Sequence, residues 1–276
     1  MNDIRLVGLD LDGTLLGGGR SLTQKTKEVM ERVAAKGINL VIISGRRFEV
    51  VPQDVRELTF MRYFALCNGA VIYDKFEDRI LYQSDIPFDE AMKLYDSLVD
   101  YTEVYVDCYH DDGSWVDVKD YARIDEFVSD QSHRDLLHNT RTSVNDLRQS
   151  LIERGKSVQK FQSIYKSTEI RDKEQKRIAA LYPDLVFAGS MTYNIEITTR
   201  EATKGICLLK LTELLGLRRE QTIAFGDGSN DISMLRCAGT GYAMENAPDY
   251  VKAEADKIAP SNTEDGVAQV LTELFL

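Results

Sequence analysis

The chain of 276 residues is 43% hydrophobic and 29% charged, with a formal net charge of −11 at pH 7. That length and mixture fit one large domain or two ordinary ones around a sizeable core. An acidic surface disfavours nucleic acid or an anionic membrane as a partner, and any phosphate site on it has to be made positive locally.

The first apolar run, Ile4 to Leu9, reads as a strand that feeds into Asp10-Leu11-Asp12-Gly13-Thr14. If the extended path continues through Leu11, Asp10 and Asp12 project to the same side. Two carboxylates this close oppose each other unless a cation or a shared proton intervenes. One reading is a metal-assisted site with a nucleophilic and a proton-transferring carboxylate; the other is a solvated turn after an edge strand.

Gly17-Gly18-Gly19-Arg20 reads as a flexible loop, and a helix capped by Thr23 follows over roughly 24 to 36. Ile38 to Ile43 is almost wholly apolar, as expected of a parallel strand covered on both faces. A helix is predicted over 47 to 57, delayed or kinked by Pro52, and a third strand over Tyr63 to Cys67. This alternation argues for a parallel α/β sheet.

The rhythm then changes. Short hairpin strands are expected at 70–73 and 79–82, a helix at 87–98, and strands at 101–109 and 114–118. Residues 120–156 look polar and weakly helical; 158–165 reads as a strand, 169–182 as a helix, and 185–188 and 193–197 as strands. The α/β pattern resumes with a helix from Thr203 to about Leu215, a buried strand at Thr222 to Phe225, and the loop Gly226-Asp227-Gly228-Ser229-Asn230-Asp231. Strands at 241–244 and 258–259 and a helix at 264–275 close the chain. The expected architecture is α/β: a Rossmann-like parallel-sheet core of residues 1–83 and 191–276, with an inserted α+β cap at 84–190.

Cysteines 67, 108, 207 and 237 have no short spacing and read as core or near-core thiols of a reducing compartment, not a disulfide framework or zinc site. No signal-like start or membrane-length apolar run is present, so a cytoplasmic location is expected.

In open parallel sheets ligands bind beyond the carboxyl ends of the strands. Asp10 and Asp12, Ser44, Lys204, and Asp227 with Asp231 all occupy such positions. Acids, a hydroxyl and a lysine around one point suit magnesium and a phosphoryl group, since magnesium prefers hard oxygen ligands and phosphoryl transfer needs positioning and charge neutralisation.

Four motifs occur in order: Asp10-Leu11-Asp12-Gly13-Thr14, Ile43-Ser44-Gly45-Arg46, Lys204-Gly205, and Gly226-Asp227-Gly228-Ser229-Asn230-Asp231. With Asn68-Gly69-Ala70 and Ser261-Asn262-Thr263-Glu264-Asp265-Gly266-Val267, they resemble the haloacid-dehalogenase-like phosphatases, specifically the Cof-type subfamily with a large cap between its second and third motifs. The resemblance is strong over 4–83 and 191–275 and weak between them. It implies a magnesium-dependent phosphatase of small phosphorylated metabolites, sugar phosphates foremost, working through an aspartyl-phosphate. Asp10 would be the nucleophile, Asp12 the proton donor and acceptor, and Ser44 with Lys204 the phosphate-binding groups. Asp10, Asp227 and the main-chain carbonyl of Asp12 would hold magnesium, with Asn230 and Asp231 orienting metal-bound water or Lys204, or one of them reaching the metal. Gly45, Arg46 and Asn68 are pocket candidates.

The inserted module would close over the core and choose the substrate, and Tyr109, His110, Asp111, Asp112, Trp115, Lys119 and Arg123 form its most suggestive cluster, against a plain hairpin tip with a core tryptophan. A monomer suffices for this arrangement. Two alternatives are a phosphomutase of related architecture and a non-catalytic phosphometabolite-binding protein. A dinucleotide enzyme is disfavoured because no glycine fingerprint follows the first strand.

Overall fold

A computed structural model of the protein describes residues 3–17, 21–101 and 103–276. Residues 18–20 of the expected flexible loop lie outside the described residues. The opening apolar run becomes β1 (Leu6–Leu9), buried throughout. Helix α1 (Gln24–Ala35) begins at Thr23, whose hydroxyl accepts from the Thr26 N–H, and it buries Thr26, Val29, Met30 and Val33. β2 (Asn39–Ile43) and β3 (Tyr63–Leu66) flank the one-turn helix α2 (Gln53–Arg56). The longer helix expected over 47–57 is split: Phe48–Val50 forms a 3-10 turn, and Pro52, with no N–H to continue a ladder, sits at the start of α2. β4 (Val71–Asp74) and β5 (Arg79–Gln83) form the predicted hairpin.

The next segment carries α3 (Phe88–Val99), β6 (Val104–His110), β7 (Gly113–Asp117), α4 (Val118–Tyr121), α5 (Ile124–Phe127) and α6 (Gln131–Thr140). It continues with β8 (Thr142–Val144), α7 (Leu147–Arg154), β9 (Lys160–Tyr165), α8 (Thr168–Leu181), β10 (Leu185–Ala188) and β11 (Asn194–Thr199). The chain ends with α9 (Lys204–Leu214), β12 (Thr222–Gly226), α10 (Ile232–Cys237), β13 (Thr240–Met244), α11 (Asp249–Lys252), β14 (Lys257–Ala259) and α12 (Gly266–Phe275).

Two compact units result, one of residues 1–83 with 201–276 and one of 84–200. The upper boundary of the insert therefore falls at 200 and not at 190. β11 decides this: it pairs antiparallel with β9 on one side and β10 on the other, so it belongs to the insert's sheet.

The first unit holds an eight-stranded sheet in the order β14-β13-β12-β1-β2-β3-β4-β5. Its first six strands run parallel; β4 is antiparallel to β3, and β5 is antiparallel to β4. β1 lies between β12 and β2, which excludes the edge-strand reading of the opening motif. Apolar side chains of β1, β2, β3, β12, α9 and α10 pack one core, including Leu6, Val41, Ala65, Leu208, Ala224 and Met234.

The second unit has a six-stranded sheet, β10-β11-β9-β6-β7-β8, antiparallel except where β8 joins β7 in parallel. β8 and the short helices around it replace the weakly helical stretch expected over 120–156. One sheet face is apolar: Val106, Cys108, Phe161, Ile195 and Ile197 pack against Leu94 and Leu98 of α3, Leu147 and Leu151 of α7, and Ile178 of α8. The opposite face is apolar at one end, where Tyr105, Val116 and Ile164 meet Ile124, Phe127 and Leu137, and polar beyond it. Among the described residues no helix is long and apolar enough to cross a membrane. The four cysteines are all free, three of them buried.

Candidate active site

Strand register brings the motif residues level. Leu9 of β1 is opposite Phe225 of β12 and Ile42 of β2, so Asp10, Asp227 and Ser44 leave their strands at nearly the same height. The chain turns as soon as β1 ends, and this separates the two acids of the opening motif. Asp10 is buried at 5% exposure, whereas the Asp12 side chain is 55% exposed. The extended path through Leu11, which would have placed both carboxylates on one side, is therefore corrected: Leu11 lies in a turn, and Leu15 and Leu16 donate back to its carbonyl.

Lys204 is the first residue of α9 and 1% exposed. An ammonium at a helix N-terminus opposes the helix dipole, so it requires anionic partners. It has two: its Nζ donates to Asp10 Oδ1 at 2.6 Å and to Asp231 Oδ1 at 2.5 Å. Burial works against its charge, but the Asp10 and Asp231 carboxylates outweigh burial and hold it protonated far above its ordinary range. Asp231 uses its other oxygen to accept from the Asp227 and Gly228 N–H groups at 3.0 and 2.8 Å, which fixes the loop that carries Asp227. Asp227 Oδ1 accepts from the Thr14 hydroxyl at 2.7 Å. Its approach is so close that a Cβ on Gly13 would lie 2.2 Å from Asp227 Oδ2, and Gly13 has φ of +82°, so glycine is required there on both counts.

These acids are under electrostatic pressure. Burial first, then the Asp231 charge, push Asp10 well above the usual carboxylate range, with Lys204 pulling the other way. Burial and Asp231 raise Asp227 to about 6 against the Thr14 hydroxyl and Lys204. One oxygen from each of Asp10, Asp227 and Asp231 lies within 4.8 Å of the others. A single lysine does not neutralise three carboxylates, and their hard oxygens match what magnesium takes, so the donor set fits that ion.

Ser44 is buried; its N–H donates to the Ala65 carbonyl, its carbonyl accepts from Asn68, and its Oγ accepts from Arg46 N–H at 3.2 Å. Gly45 forms the bend between Ser44 and Arg46. The Arg46 guanidinium grips Asp12 as a fork, at 2.8 Å from Nε and 2.6 Å from Nη2, and is itself braced on the Val50 carbonyl. Asn68 is buried with φ of +59°, directly after Cys67 at +52°, and its Oδ1 accepts from Asn230 Nδ2 at 3.4 Å. Two successive non-glycine residues in the left-handed region store backbone strain beside Ser44.

Three participants were not assigned from the sequence: Thr14, Asn246 and Asn262. Asn246 Nδ2 donates to the Gly13 carbonyl at 2.8 Å and Asn262 Nδ2 to that of Leu16 at 2.8 Å, while the Asn262 N–H donates to Asn246 Oδ1 at 3.1 Å. The pair forms a clasp on the loop that carries Asp12. The Asn262 motif was visible, but its partner lies more than two hundred residues away, which no local pattern reports.

The specificity candidates of the insert are not brought to one surface. Tyr109 and Trp115 lie on opposite faces of the sheet, because Trp115 is opposite Cys108 and not opposite Tyr109. Asp111 pairs with Arg154 and Lys156, Lys119 with Asp117, and Arg123 with Glu126. His110, Asp111 and Asp112 do come within metal-binding reach of one another, but Arg154 engages both carboxylates.

The sequence model of the haloacid dehalogenase-like hydrolases matches residues 7–271. The chain belongs to that family. A 5-amino-6-(5-phospho-D-ribitylamino)uracil phosphatase of Bacillus subtilis is 29% identical over 274 residues, covering 98% of this chain and 97% of that protein. A pyridoxal phosphate phosphatase of Escherichia coli is 30% identical over 274 residues, covering 97% of each. Among solved structures, a haloacid dehalogenase-like hydrolase from B. subtilis superposes with a TM-score of 0.84 at 26% identity, covering 99% of this chain and 100% of that one. The family assignment agrees with the parallel-sheet core, the inserted unit and the acidic cluster at the strand ends.

Proposed function

We propose that the protein is a magnesium-dependent phosphatase that hydrolyses phosphate monoesters of small metabolites, sugar phosphates foremost, through an aspartyl-phosphate on Asp10. The observation that carries this reading is the buried Asp10–Lys204–Asp231 bridge beside Asp227. A buried carboxylate and ammonium in contact suit an attacking oxygen and a phosphoryl charge, and so support the reading. Two relatives whose names describe removal of phosphate from a small metabolite support the same class.

An Asp10 carboxylate oxygen attacks phosphorus and the ester P–O bond breaks, its electrons leaving on the alcohol oxygen, which takes a proton from Asp12. Water then attacks the aspartyl-phosphate, Asp12 accepts a proton from it, and inorganic phosphate leaves as Asp10 is restored. Ser44 and Lys204 hold phosphoryl oxygens, and Lys204 supplies the local positive charge that an acidic molecule otherwise lacks. Asp10, Asp227 and the Asp12 main-chain carbonyl would hold magnesium, which when bound neutralises charge on the transferred group. Arg46 is a positioning residue, since its fork sets the direction of the Asp12 carboxylate. Asp231 acts through Lys204 and the Asp227 loop.

The test is release of phosphate from a panel of sugar, nucleotide and cofactor phosphates, with magnesium and with EDTA. Turnover that needs magnesium and vanishes in Asp10→Asn is expected. Unchanged rates in either arm sink the mechanism.

A further inference from the structure

β3 and β4 are joined by Cys67-Asn68-Gly69-Ala70, a hairpin connection at the carboxyl end of β3. A hairpin turn needs only to reverse the chain, and such connections ordinarily run over the surface. This one is buried at Cys67, Asn68 and Gly69, and all three have positive φ, at +52°, +59° and +101°. Cysteine and asparagine are disfavoured in that region and persist there when their surroundings over-determine them. Here the surroundings belong to three of the four motifs or adjoin them. The Asn68 N–H donates to the Ser44 carbonyl and the Cys67 N–H to that of Arg46, both at 3.0 Å. Asn68 Oδ1 accepts from Asn230 Nδ2 at 3.4 Å. Gly69 presses on Thr203: a Cβ there would collide with the Thr203 carbonyl oxygen and lie 2.9 Å from Cys207 Cβ. Thr203 caps α9, its hydroxyl accepting from the Ile206 N–H at 3.1 Å, and its carbonyl accepts from the Cys207 N–H in the first turn of the helix that Lys204 opens.

We propose that this strained turn is the positioning element of the phosphoryl pocket, holding Ser44 and Lys204 at a fixed separation while Asn68 ties in the loop of Asp227. The proposal rests on the phosphatase reading above and adds residues to its site. Ser44 follows β2 and Lys204 opens α9, so their spacing is a long-range property that neither element sets for itself. Two groups that grip one phosphoryl have to keep that spacing as charge shifts among its oxygens. A turn held on three sides keeps it. The left-handed backbone is what lets the three contacts coexist: the Cys67 and Asn68 N–H groups face the loop after β2, and Gly69 carries the chain against the start of α9. Asn68 acts through Ser44 and Asn230 and is a positioning residue.

The test measures kcat/KM for p-nitrophenyl phosphate, with the inhibition constant of inorganic phosphate as a second reading, at saturating magnesium. Gly216→Ala is the control. Gly216 also has positive φ, at +65°, lies just beyond the other end of α9, and as alanine would meet nothing within 4 Å. Gly69→Ala is expected to lower kcat/KM about tenfold or more and to weaken inhibition by phosphate, while Gly216→Ala, which carries the same kind of backbone strain, stays within about twofold of wild type in both. Asn68→Gly accepts the left-handed backbone without steric cost and removes the tie to Asn230. It is expected to melt no lower than Gly216→Ala and still to lose about tenfold in kcat/KM. That variant decides alone if Gly69→Ala fails to fold. Parallel losses in Gly69→Ala and Gly216→Ala, or wild-type rates in Asn68→Gly, would overturn the proposal. If wild type releases phosphate from no ester, the phosphatase reading fails, and calorimetric binding of inorganic phosphate then decides positioning separately. Binding weakened in Asn68→Gly supports it; equal binding in the two proteins, or none to wild type, ends it.

Discussion

Asp10 lies where burial and neighbouring carboxylates both oppose its charge, and Lys204 only partly relieves it. An acid whose folded-state pKa is raised destabilises the fold once ionised, so the proposed nucleophilic role and stability conflict at this residue. Asp10→Asn is therefore expected to abolish turnover while melting, in EDTA at pH 7, no lower than wild type; a drop of several degrees would show that the Lys204 bridge is net stabilising. The gathering of Asp10, Lys204, Asp227 and Asp231 could be read from sequence because each stands beside the carboxyl end of a strand. The separation of Asp10 from Asp12 could not, because it depends on a turn at Leu11 and on Arg46, which arrives from the next strand. Cysteine and asparagine at positive φ before Gly69 were equally hidden, since neither residue type requires that geometry.

At the scale of elements, the clasp of Asn246 and Asn262 joins the loops after β13 and β14 to the one after β1. Asn262→Ala is expected to lower kcat about tenfold or more with little change in KM, because the loop that carries Asp12 loses its fixed position. An equal rise in KM would instead place the residue in substrate binding. In the insert, Asp120 on α4 is pushed to about 6, by burial first and by Asp117 after the opposing pull of Lys119. Its raised folded-state value means that stability is full below about pH 4, falls as the pH rises toward 6, and stays lower above that. Asp120→Asn should thus stabilise the protein at pH 7 by roughly 1–3 kcal/mol and give no gain near pH 4, as read by chemical denaturation at both values. The apolar strands β2 and β3 were legible because burial on both faces leaves little room for polar residues. β8, three residues long and mostly exposed, offered no such pattern. β11 was seen as a strand but assigned to the wrong unit, since which sheet a strand joins is a long-range property that its own residues do not encode.

For the whole molecule, the charge of −11 would repel at long range the dianionic ester of the proposed reaction. Raising ionic strength from about 10 to 150 mM shortens the reach of that repulsion and should increase kcat/KM for a sugar phosphate modestly, at saturating magnesium. A decrease would point to an attractive basic approach path. The first sheet also imposes an order of assembly. β1 pairs with β12, so Leu6 meets Thr222 only after more than two hundred intervening residues have been made. A chain still being synthesised holds Asp10 early, but lacks Lys204, Asp227 and Asp231 until its last third emerges. Until then β1 has an open edge and Asp10 lacks the Lys204 counter-charge, so the nascent protein is exposed to mispairing. Competence arrives late and all together, with the final strands of the sheet.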